Sequence, residues 1–423
     1  MLDLSVVRTQ KEQVITALEK RGIDANTLVD NALVADEKRR GLQSTLDQKL
    51  ALANSLAKEI GELYKNGNPQ QANHKKEESV SLKAETKALQ TQLAEAETTL
   101  YELLCSIPNI PNPLVPDGQS EDDNEEIFRA GKVPTLSEKA LPHWELAAKY
   151  ELINFKLGNK ITGAGFPVYT GKGAKLQRAL ISFFLDQNTA AGYEEVQVPH
   201  LVNEYSGFGT GQLPDKEGQM YHVGADNLYL IPTAEVPITN LFRDEIVNAS
   251  DLPITRTGYT PCFRREAGSY GSHVRGLNRL HQFDKVEIVR LEHPDKAYEA
   301  LNRMVEHVKG ILEQLELPYR ILRLCGGDLG FTSALTYDFE IYSTAQERWL
   351  EVSSVSNFES YQSTRLKLRF KDSDGNRKWV HTLNGSALAL PRIMAGLLEN
   401  HQSENGIRIP EALVSYTGFD MIR

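Results

Sequence analysis

Residues 263–287 read FRREAGSYGSHVRGLNRLHQFDKVE, which has the pattern of two strands joined by a polar, glycine-rich loop. Side chains alternate faces along a strand, so Arg264 shares a face with Glu266. In the second strand, Phe283 shares a face with Glu287 by the same rule. An arginine suits a phosphate, an aromatic ring suits a purine, and a carboxylate can accept from an amine or a hydroxyl. A surface hairpin with cross-strand salt bridges fits the same pattern, so both interpretations stay open.

The loop between these strands is expected at residues 267–276, and further β-rich runs and helical stretches surround it from about residue 135 onward. Strands are predicted at residues 194–198, 228–231, 282–290, 340–341 and 365–370. Helices are predicted at residues 174–190, 295–315 and 387–401. This mixture predicts an α+β domain on a mainly antiparallel β-sheet flanked by helices. The chain has neither a GxxxxGK[ST] P-loop nor a Rossmann glycine motif after a strand, so a nucleotide would need another cradle.

Residues from about 28 to 104 have the periodicity of a coiled coil. In the first half, apolar positions follow one another at spacings of four and three: Leu46, Leu50, Ala53, Ala57, Ile60 and Tyr64. After the turn-like sequence NGNP at residues 66–69, the rhythm continues at Leu89, Leu93, Ala96, Leu100 and Leu103. Alternating spacings of this kind place one apolar seam on each helix, so the sequence predicts an antiparallel α-helical coiled-coil arm.

A proline-rich and then acidic stretch follows the predicted arm. Prolines stand at Pro108, Pro111, Pro113 and Pro116, and residues 121–126 read EDDNEE. Clustered prolines stop helices and a run of like charge favours solvent, so a solvated linker is expected, although the residue types alone would also permit a metal site. We therefore place a domain boundary near residue 110.

The chain has 423 residues, a length that is enough for two or three domains. Its formal net charge is −10, and its composition is that of an ordinary globular protein. It has no apolar run of the roughly 18–20 residues that span a bilayer, and its N-terminus lacks the pattern of a secretory signal. The well-separated cysteines Cys105, Cys262 and Cys325 argue against a zinc site or disulfides and fit a reducing cytoplasm. The acidic net charge counts against a nucleic-acid partner only on average, because local basic clusters can still contact phosphates.

Two further segments are candidates for a polar site. Thr233-Ala234-Glu235 precedes an apolar run, and its structural interpretation is a threonine cap with an acidic first turn. Residues 351–357, EVSSVSN, are dense in hydroxyls and on spacing alone fit an edge strand. Strict alternation puts residues 351 and 354 on opposite faces, so a bulge or a backbone contact is needed if both act together.

The sequence HTLNGS at residues 381–386 leads into an apolar run, and its Asn-Gly-Ser predicts a turn and a helix start. Pro391 would cost roughly 3 kcal/mol inside a regular helix, so the helix is expected to begin late or to kink there. Arg392 then lies close to a buried helix. Because a buried charge is costly unless it is paired, a ligand-binding role is favoured for this arginine.

Together these motifs resemble those of the bacterial-type seryl-tRNA synthetases, a family of class II aminoacyl-tRNA synthetases. FRREAGSYG followed by RGLNRLHQFDKVE is similar to motif 2 of that family, the segment around Arg392 to motif 3, and residues 171–199 to motif 1. The TAE triplet, the EVSS sequence and the predicted arm agree with it. The resemblance spans nearly the whole chain and implies a tRNA-binding N-terminal domain at residues 1–110 and a catalytic domain at residues 111–423.

The resemblance also implies roles for individual residues. Arg264 would hold the α-phosphate and the substrate carboxylate, and Arg392 the γ-phosphate, which makes these two the catalytic arginines. Serine-binding residues are implied at Thr233, Ala234, Glu235, Arg264, Glu287, Thr382 and Ser386. ATP-binding residues are implied at Arg264, Arg265, Glu266, Phe283, Glu351, Val352, Ser353, Ser354 and Arg392. Mg²⁺, the hard cation expected with phosphate oxygens, would be held through ATP at Glu351 and Ser354.

The implied reaction has two steps, in which ATP first activates L-serine as seryl-adenylate and the seryl group then passes to tRNA(Ser). tRNA(Sec) is implied as a further acceptor, the arm would contact the long variable arm of the tRNA, and motif 1 implies a homodimer. The family resemblance further implies a cytoplasmic enzyme without membrane attachment. Two alternatives are a paralogue that passes the amino acid to a carrier protein and a catalytically inactive interaction protein. The arm argues against the first, and the complete set of site residues argues against the second.

Two positions depart from the family pattern. Seryl enzymes usually have an aromatic–Gln–Ala–Arg–Arg run after EVSSxSN, whereas residues 361–365 read YQSTR, with Thr364 in place of one arginine. Gly165 stands before Phe166, where the family often has arginine. The first departure leaves the structural or tRNA-binding role of that arginine open. Neither position lies in the three motifs.

Overall fold

The computed structural model describes residues 1–215, 218–266 and 275–423. The loop expected at residues 267–276 therefore lies, up to residue 274, outside the described residues. The chain forms two compact units, residues 1–19 with 23–108 and residues 20–22 with 109–423. In the part of the chain that the structure describes, no helix is both long enough and apolar enough to cross a membrane.

The first unit is helical, and most of it is a hairpin of two long helices. Its helices are α1 (Leu4–Thr9), α2 (Lys11–Glu19), α3 (Ala25–Lys65) and α4 (Pro69–Ser106). At 1.5 Å per residue, α3 is about 60 Å long. It begins where Asp24 accepts a hydrogen bond from the Thr27 backbone N (3.1 Å), and α4 begins with Pro69, whose missing N–H costs nothing in a first turn. The predicted coiled-coil arm is confirmed.

The seam of α3 runs through a different set of residues from the predicted one. Leu46 is buried as predicted, but Leu50 and Tyr64 are 39% and 47% exposed. Leu56 is buried in their place, and Leu63 is partly buried. The predicted four-three spacing from Leu46 avoids charged residues, whereas the three-four spacing meets Lys49 before it reaches Ala53, Leu56, Ile60 and Leu63, so periodicity alone favours the predicted set. Packing against α4, whose predicted seam positions are all buried or partly buried, selects the second.

The second unit is an α+β fold, as predicted. Its helices in the described residues are α5 (His143–Lys149), α6 (Phe155–Ile161), α7 (Gly171–Ala190), α8 (Glu204–Thr210), α9 (Glu235–Asn240), α10 (Ala297–Gln314), α11 (Tyr361–Leu366), α12 (Leu390–Asn400) and α13 (Glu411–Thr417). Its strands in the same residues are β1 (Glu125–Ala130), β2 (Ile153–Asn154), β3 (Val168–Tyr169), β4 (Glu194–Glu195), β5 (Leu201–Val202), β6 (His222–Val223), β7 (Leu228–Leu230), β8 (Ile246–Asn248), β9 (Ile254–Phe263), β10 (Gln282–Glu292), β11 (Tyr319–Arg323), β12 (Leu335–Ser343), β13 (Arg348–Asn357), β14 (Arg369–Lys371), β15 (Arg377–Trp379), β16 (His381–Ala389), β17 (Gln402–Ser403), β18 (Gly406–Arg408) and β19 (Met421–Ile422).

Eight of these strands form one sheet in the order β1-β11-β12-β13-β16-β10-β9-β4. Its pairings are antiparallel except for that of β4 with β9, so the predicted mainly antiparallel sheet is confirmed. Helices α7, α10 and α12 contribute buried side chains to the same core as the sheet, among them Phe183, Met304 and Met394. Helix α10 buries residues at spacings of three and four, which is the apolar stripe of a helix packed on a sheet.

Two predicted elements of this unit differ from the structure. The turn and helix start predicted at residues 381–386 lies within strand β16, which pairs with β10 on one side and β13 on the other. These two partners and the burial of the strand outweigh the local turn preference of Asn-Gly. Helix α12 begins at Leu390 with Pro391 in its first turn, so the predicted late start is confirmed. The strand predicted at residues 365–370 is the end of α11 followed by the short strand β14.

The acidic stretch at residues 121–126 is exposed, as expected, but its last residues begin the edge strand β1. Glu125 forms an ion pair with Arg323 and Glu126 with Arg320, both on the neighbouring strand β11. Among the described residues, no group of three or more His, Cys, Asp or Glu side chains could hold a metal ion. The carboxylates of Glu125 and Glu126 pair with the arginines of the next strand.

A buried polar network joins α5 and α12 to the chain that leads into β10. Glu399 accepts hydrogen bonds from the backbone N and the Nδ1 of His143 (2.9 and 2.7 Å), from Gln346 Nε2 (2.9 Å) and from Ser343 Oγ. The Nε2 of His143 accepts from the backbone N of Leu277 (2.8 Å). His143 and Glu399 are both fully buried. The imidazole therefore links helix α12 to the described residues that lead into β10.

We expect His143→Ala to destabilise the second unit by about 3 kcal/mol, because it removes the imidazole's hydrogen bond to the buried Glu399 carboxylate and leaves the Leu277 N–H without its partner. Urea-induced unfolding followed by tryptophan fluorescence measures this loss. The control is His222→Ala, which removes an exposed histidine bonded to Asn227 and should change the stability by no more than about 0.5 kcal/mol. Equal effects of the two substitutions would contradict a stabilising role for the network.

Candidate active site

A cavity of about 470 Å³ is lined by residues of β10, β13, β16, α9 and α12 and of the chain that follows β9. Most of the residues predicted for the site line it: Thr233, Glu235, Arg264, Glu266, Phe283, Glu287, Glu351, Val352, Ser353, Ser354, Ser386 and Arg392. Within residues 263–287, two side chains before the loop, Arg264 and Glu266, and two after it, Phe283 and Glu287, therefore line the same cavity. The predicted residues Ala234, Arg265 and Thr382 do not belong to its lining in the described part of the chain. Ala234 and Thr382 are buried behind it, and Arg265 is exposed.

Arg264 and Glu266 lie just beyond the strand that was expected to carry them. Strand β9 ends at Phe263, and Glu266 adopts a left-handed backbone conformation with φ of 49°. The chain nevertheless stays beside β10, because the Arg264 backbone N donates to His281 O (2.9 Å). The predicted convergence of the four side chains thus holds, while the strand predicted for the first two is wrong.

One end of the cavity is built around a buried carboxylate. Glu287 is 1% exposed, and its Oε2 lies 2.7 Å from the Nζ of Lys285, two residues earlier on β10. The same oxygen accepts hydrogen bonds from Thr233 Oγ1 (3.3 Å) and Ser386 Oγ (3.5 Å). Ser386 is the register partner of Glu287 on β16. A buried carboxylate held in this way can bind a ligand hydroxyl or ammonium group.

A second carboxylate, Glu235, lies at the start of α9 in the same region. Its backbone N donates to Thr233 Oγ1 (3.2 Å), although the residue at the N-cap of α9 is Ala234. Its Oε1 accepts from Gln362 Nε2 (2.7 Å). Burial, and then the nearby Glu287 carboxylate, raise the pKa of Glu235 to about 7. Hydrogen bonding by Gln362 and the charges of Lys285 and Arg264 act in the opposite direction.

The other end of the cavity carries two arginines and an aromatic ring. The guanidinium carbon of Arg264 lies 5.2 Å from the centre of the Phe283 ring, and its Nε donates to Pro232 O (3.3 Å). Arg392 donates through Nη1 to Glu351 O (2.7 Å) and through Nε to Asn278 O (3.1 Å). Both guanidinium groups are thus held in position by backbone carbonyls, and Arg392 Nη1 also lies 3.7 Å from Oε2 of the Glu351 carboxylate.

The bulge that Glu351 and Ser354 require is present in β13. Glu351 pairs with Glu340 and Ser353 pairs with Phe339, so Val352 has no partner on β12. This extra residue turns the two side chains to the same side, and Ser354 Oγ donates to Glu351 Oε1 (3.4 Å). A carboxylate and a hydroxyl are hard oxygen donors, which suits Mg²⁺ when phosphate oxygens complete the coordination.

Two side chains of this region were not among the predicted site residues. Lys285 shares a face with Phe283 and Glu287, so the alternation of β10 already indicated its position. Gln362 belongs to the YQSTR run, in which only the departure from the family pattern drew attention. No local sequence signal places it beside Glu235, which is 127 residues away in the chain.

The structure shows the surroundings of Thr364 and Gly165, the two positions that depart from the family pattern. Thr364 is buried on α11, where its Oγ1 donates to Tyr361 O (2.9 Å). Gly165 has φ of 80°, and its carbonyl accepts from His281 N (2.9 Å). A Cβ at this position would lie 2.3 Å from His281 Cδ2, and Phe166 stacks on the same imidazole at 5.5 Å. A larger residue at position 165 therefore requires the ring of His281 to move.

Comparisons with known proteins agree with this architecture. A family model described as the class II core domain of tRNA synthetases (G, H, P, S and T) matches residues 221–401, and one described as the seryl-tRNA synthetase N-terminal domain matches residues 1–111. The fold and the site thus define a class II aminoacyl-tRNA synthetase.

Individual relatives are more specific. A serine–tRNA ligase of Salinibacter ruber is 50% identical over 100% of this chain and 99% of its own length, and one of Akkermansia muciniphila is 46% identical over the same shares. The crystal structure of seryl-tRNA synthetase from Pyrococcus horikoshii complexed with ATP superposes with a TM-score of 0.93 at 33% identity, over 100% of this chain and 99% of that one. The chain belongs to the serine–tRNA ligase family.

The raised pKa of Glu235 gives a testable pH dependence of stability. The pKa of this carboxyl group is about 7 in the folded state and 4.5 in the unfolded state, so between these pH values the folded protein binds an extra proton. The resulting contribution to the free energy of unfolding is fully present below pH 4.5 and is lost as the pH rises through 7. Relative to Glu235→Gln, the free energy of unfolding of the wild type should therefore fall by about 2 kcal/mol between pH 5 and pH 8. Urea unfolding at both pH values measures the difference, and parallel pH profiles of the two proteins would exclude a shifted Glu235.

Proposed function

We propose that the cavity activates L-serine with ATP to form seryl-adenylate, and that the seryl group then passes to tRNA(Ser). The observation that carries this proposal is the division of one cavity into two chemically different ends. Buried carboxylates and hydroxyls at one end suit a small amino acid, and two arginines beside an aromatic ring at the other suit a nucleotide. Membership in the serine–tRNA ligase family supports this assignment.

Serine recognition falls to Glu235 and Glu287 in this proposal. The carboxylate of Glu235 binds the ammonium group of serine, and Glu287, with Thr233 and Ser386 beside it, binds the hydroxyl. Alanine lacks the hydroxyl and would leave these buried polar groups unpaired, which a site of this kind rejects strongly. Threonine is excluded by the space that its additional methyl group would need.

The ATP end is arranged around Phe283, on which we place the adenine ring, with Glu266 at its edge. Arg264 then reaches both the α-phosphate and the serine carboxylate, and Arg392 the γ-phosphate. Attack of the serine carboxylate on the α-phosphorus forms the adenylate and releases pyrophosphate, so no protein nucleophile is needed. The protein contributes alignment of the two substrates and fixed positive charge where negative charge develops.

Glu351 and Ser354 are the residues that would hold Mg²⁺ together with the phosphates. Their oxygen atoms come within hydrogen-bonding distance of each other only because of the bulge at Val352. When bound, the ion would neutralise phosphate charge and help to orient the phosphates. Arg392 binds the backbone of the same strand through Glu351 O, which places the arginine and the metal site side by side.

The long helical arm is the proposed tRNA-binding element. Several of its basic residues are engaged within the arm, since Arg39 and Arg40 pair with Asp36 and Lys49 pairs with Glu85. Exposed lysines of the hairpin remain as candidates for the phosphates of the tRNA, namely Lys58, Lys65, Lys76, Lys83 and Lys87. This supplies local positive charge on a chain of net charge −10. The cytoplasmic location, the homodimer through the motif 1 segment at residues 171–199, and tRNA(Sec) as a second acceptor remain predictions.

One assay tests the proposed reaction. ATP–pyrophosphate exchange is measured with each of the standard amino acids and is expected with serine, followed by transfer of the activated serine to tRNA. Arg264→Ala should reduce the exchange by about 10²–10³-fold, because it removes a fixed cation from the reacting phosphate. Arg303→Ala, which removes an arginine paired with Glu299 on the surface of α10, is the matched control and should have no effect. Absence of serine-dependent exchange would exclude the proposal, and transfer to a carrier protein in place of tRNA would favour the paralogue.

Deletion of residues 30–100, closed by a short flexible linker, separates the two activities. We expect serine-dependent exchange to persist, because the cavity lies wholly within the second unit, and charging of tRNA to be lost. Pyrophosphate exchange and acid-stable aminoacylation of tRNA are measured on the same preparation. Charging at the wild-type rate by the shortened protein would refute the assignment of the arm to tRNA binding.

A further inference from the structure

Gln362 is a buried residue of α11 that reaches the amino-acid end of the cavity from behind. It is 1% exposed and does not line the cavity in the described part of the chain. Its Nε2 donates to Glu235 Oε1 (2.7 Å) and to the backbone carbonyl of Thr210 (3.3 Å), and its Oε1 accepts from Thr382 Oγ1 (2.7 Å). The amide is therefore bonded at both ends.

The orientation of this amide follows from the chemistry of its partners. A backbone carbonyl can only accept a hydrogen bond, so the NH₂ group must face Thr210, and the same group then faces Glu235. The carbonyl end is left for the hydroxyl of Thr382. A glutamine side chain meets this demand because its amide donates at one end and accepts at the other, whereas an ionised carboxylate only accepts and an ammonium group only donates.

Thr382 is placed in this chain of bonds and not in the cavity. The family resemblance implied that it binds serine, yet the residue is 1% exposed and its hydroxyl is directed to Gln362. The Thr382 hydroxyl therefore affects serine in the cavity through the hydrogen-bonded side chains of Gln362 and Glu235. The three side chains come from β16, α11 and α9, so the chain of bonds also joins three separate elements behind the cavity.

We propose that Gln362, oriented by Thr382, is a positioning residue that holds the Glu235 carboxylate for the ammonium group of the substrate. This inference rests on the proposed function, in which Glu235 binds that group. The amide engages one carboxylate oxygen, and so fixes the rotation of the carboxylate and the direction in which its other oxygen can accept. A carboxylate without this bond would have to be ordered by the substrate itself, which weakens binding.

Gln362 also favours the charged form of Glu235. The charged groups that face this carboxylate are Glu287, which disfavours its ionisation, and Lys285 and Arg264, which favour it. Burial adds to the effect of Glu287, and together they raise the pKa of Glu235, whereas the Gln362 hydrogen bond lowers it. A neutral donor achieves this without adding a further charge that would compete with the substrate for either carboxylate.

The test compares Gln362→Met, which keeps the approximate volume but none of the three side-chain hydrogen bonds, with the wild-type enzyme in serine-dependent ATP–pyrophosphate exchange. We expect the KM for serine to rise by at least about tenfold at pH 7.5, because a hydrogen bond to a charged group is lost, while the KM for ATP changes by less than about twofold. We further expect kcat/KM for serine to begin to decline at a higher pH than in the wild type, because the Gln362 hydrogen bond, which the substitution removes, lowers the pKa of Glu235. Gln177→Met is the matched control, since it removes a buried glutamine bonded to Asp284 outside the amino-acid end, and should leave both the serine KM and this pH unchanged.

Thr382 provides an independent pair of variants that disturb the fold less. Thr382→Val removes the hydroxyl with little change of shape and should raise the serine KM in the same direction by about threefold, whereas Thr382→Ser keeps the hydroxyl and should restore wild-type behaviour. The double variant Gln362→Met with Thr382→Val should be no worse than Gln362→Met alone, because Thr382 acts through the amide. Should Gln362→Met not fold, the comparison of valine with serine at position 382 decides the question.

The outcomes separate this inference from the function on which it rests. A wild-type protein without serine-dependent exchange overturns both. Normal wild-type exchange, together with an unchanged serine KM and an unchanged pH profile in Gln362→Met, overturns the role of Gln362 alone. Equal increases in the KM for serine and for ATP also overturn it, since they indicate general damage to the catalytic unit.

Discussion

The buried ion pair between Lys285 and Glu287 is the interaction on which the rest of the site depends. Two carboxylates, Glu287 and Glu235, lie close together away from water, and such an arrangement is costly unless positive charge and hydrogen-bond donors accompany it. Lys285 supplies the charge at 2.7 Å, and Thr233 and Ser386 supply hydroxyl donors. A ligand with an ammonium and a hydroxyl group can donate hydrogen bonds to the remaining acceptor positions of these two carboxylates.

The sheet makes this arrangement possible by departing from regular pairing at one position. Strand β13 contains one extra residue at Val352, which brings Glu351 and Ser354 to the same side. Helix α12 starts at Leu390 and presents Arg392 to the cavity, and Glu399 near its end bonds to the buried His143 of α5. The precision of the site thus derives from one bulge and one buried polar network, both of which are costly to rearrange.

Much of the site could be predicted from the sequence because the relevant pattern is local. Alternation along a strand placed Phe283 and Glu287 on one face, and the motifs of the family supplied Arg264 and Arg392, all of which line the same cavity. Alternation also made clear that Glu351 and Ser354 need a bulge. Thr382 shows the limit of this reasoning, since a motif identifies a residue near the substrate but does not tell whether the side chain touches it.

The sequence by itself determined that there is a long helical hairpin, an antiparallel sheet and a set of charged residues suited to an amino acid and a nucleotide. Helical and strand periodicities follow from backbone geometry, so they are visible within a few residues. Only the tertiary structure decided that Leu56 and not Ala57 lies in the seam of α3, that Asn384 belongs to a central strand, and that Gln362 bonds to Glu235. These outcomes depend on contacts with residues far away in the chain, and contact energy of that kind overrides local preference.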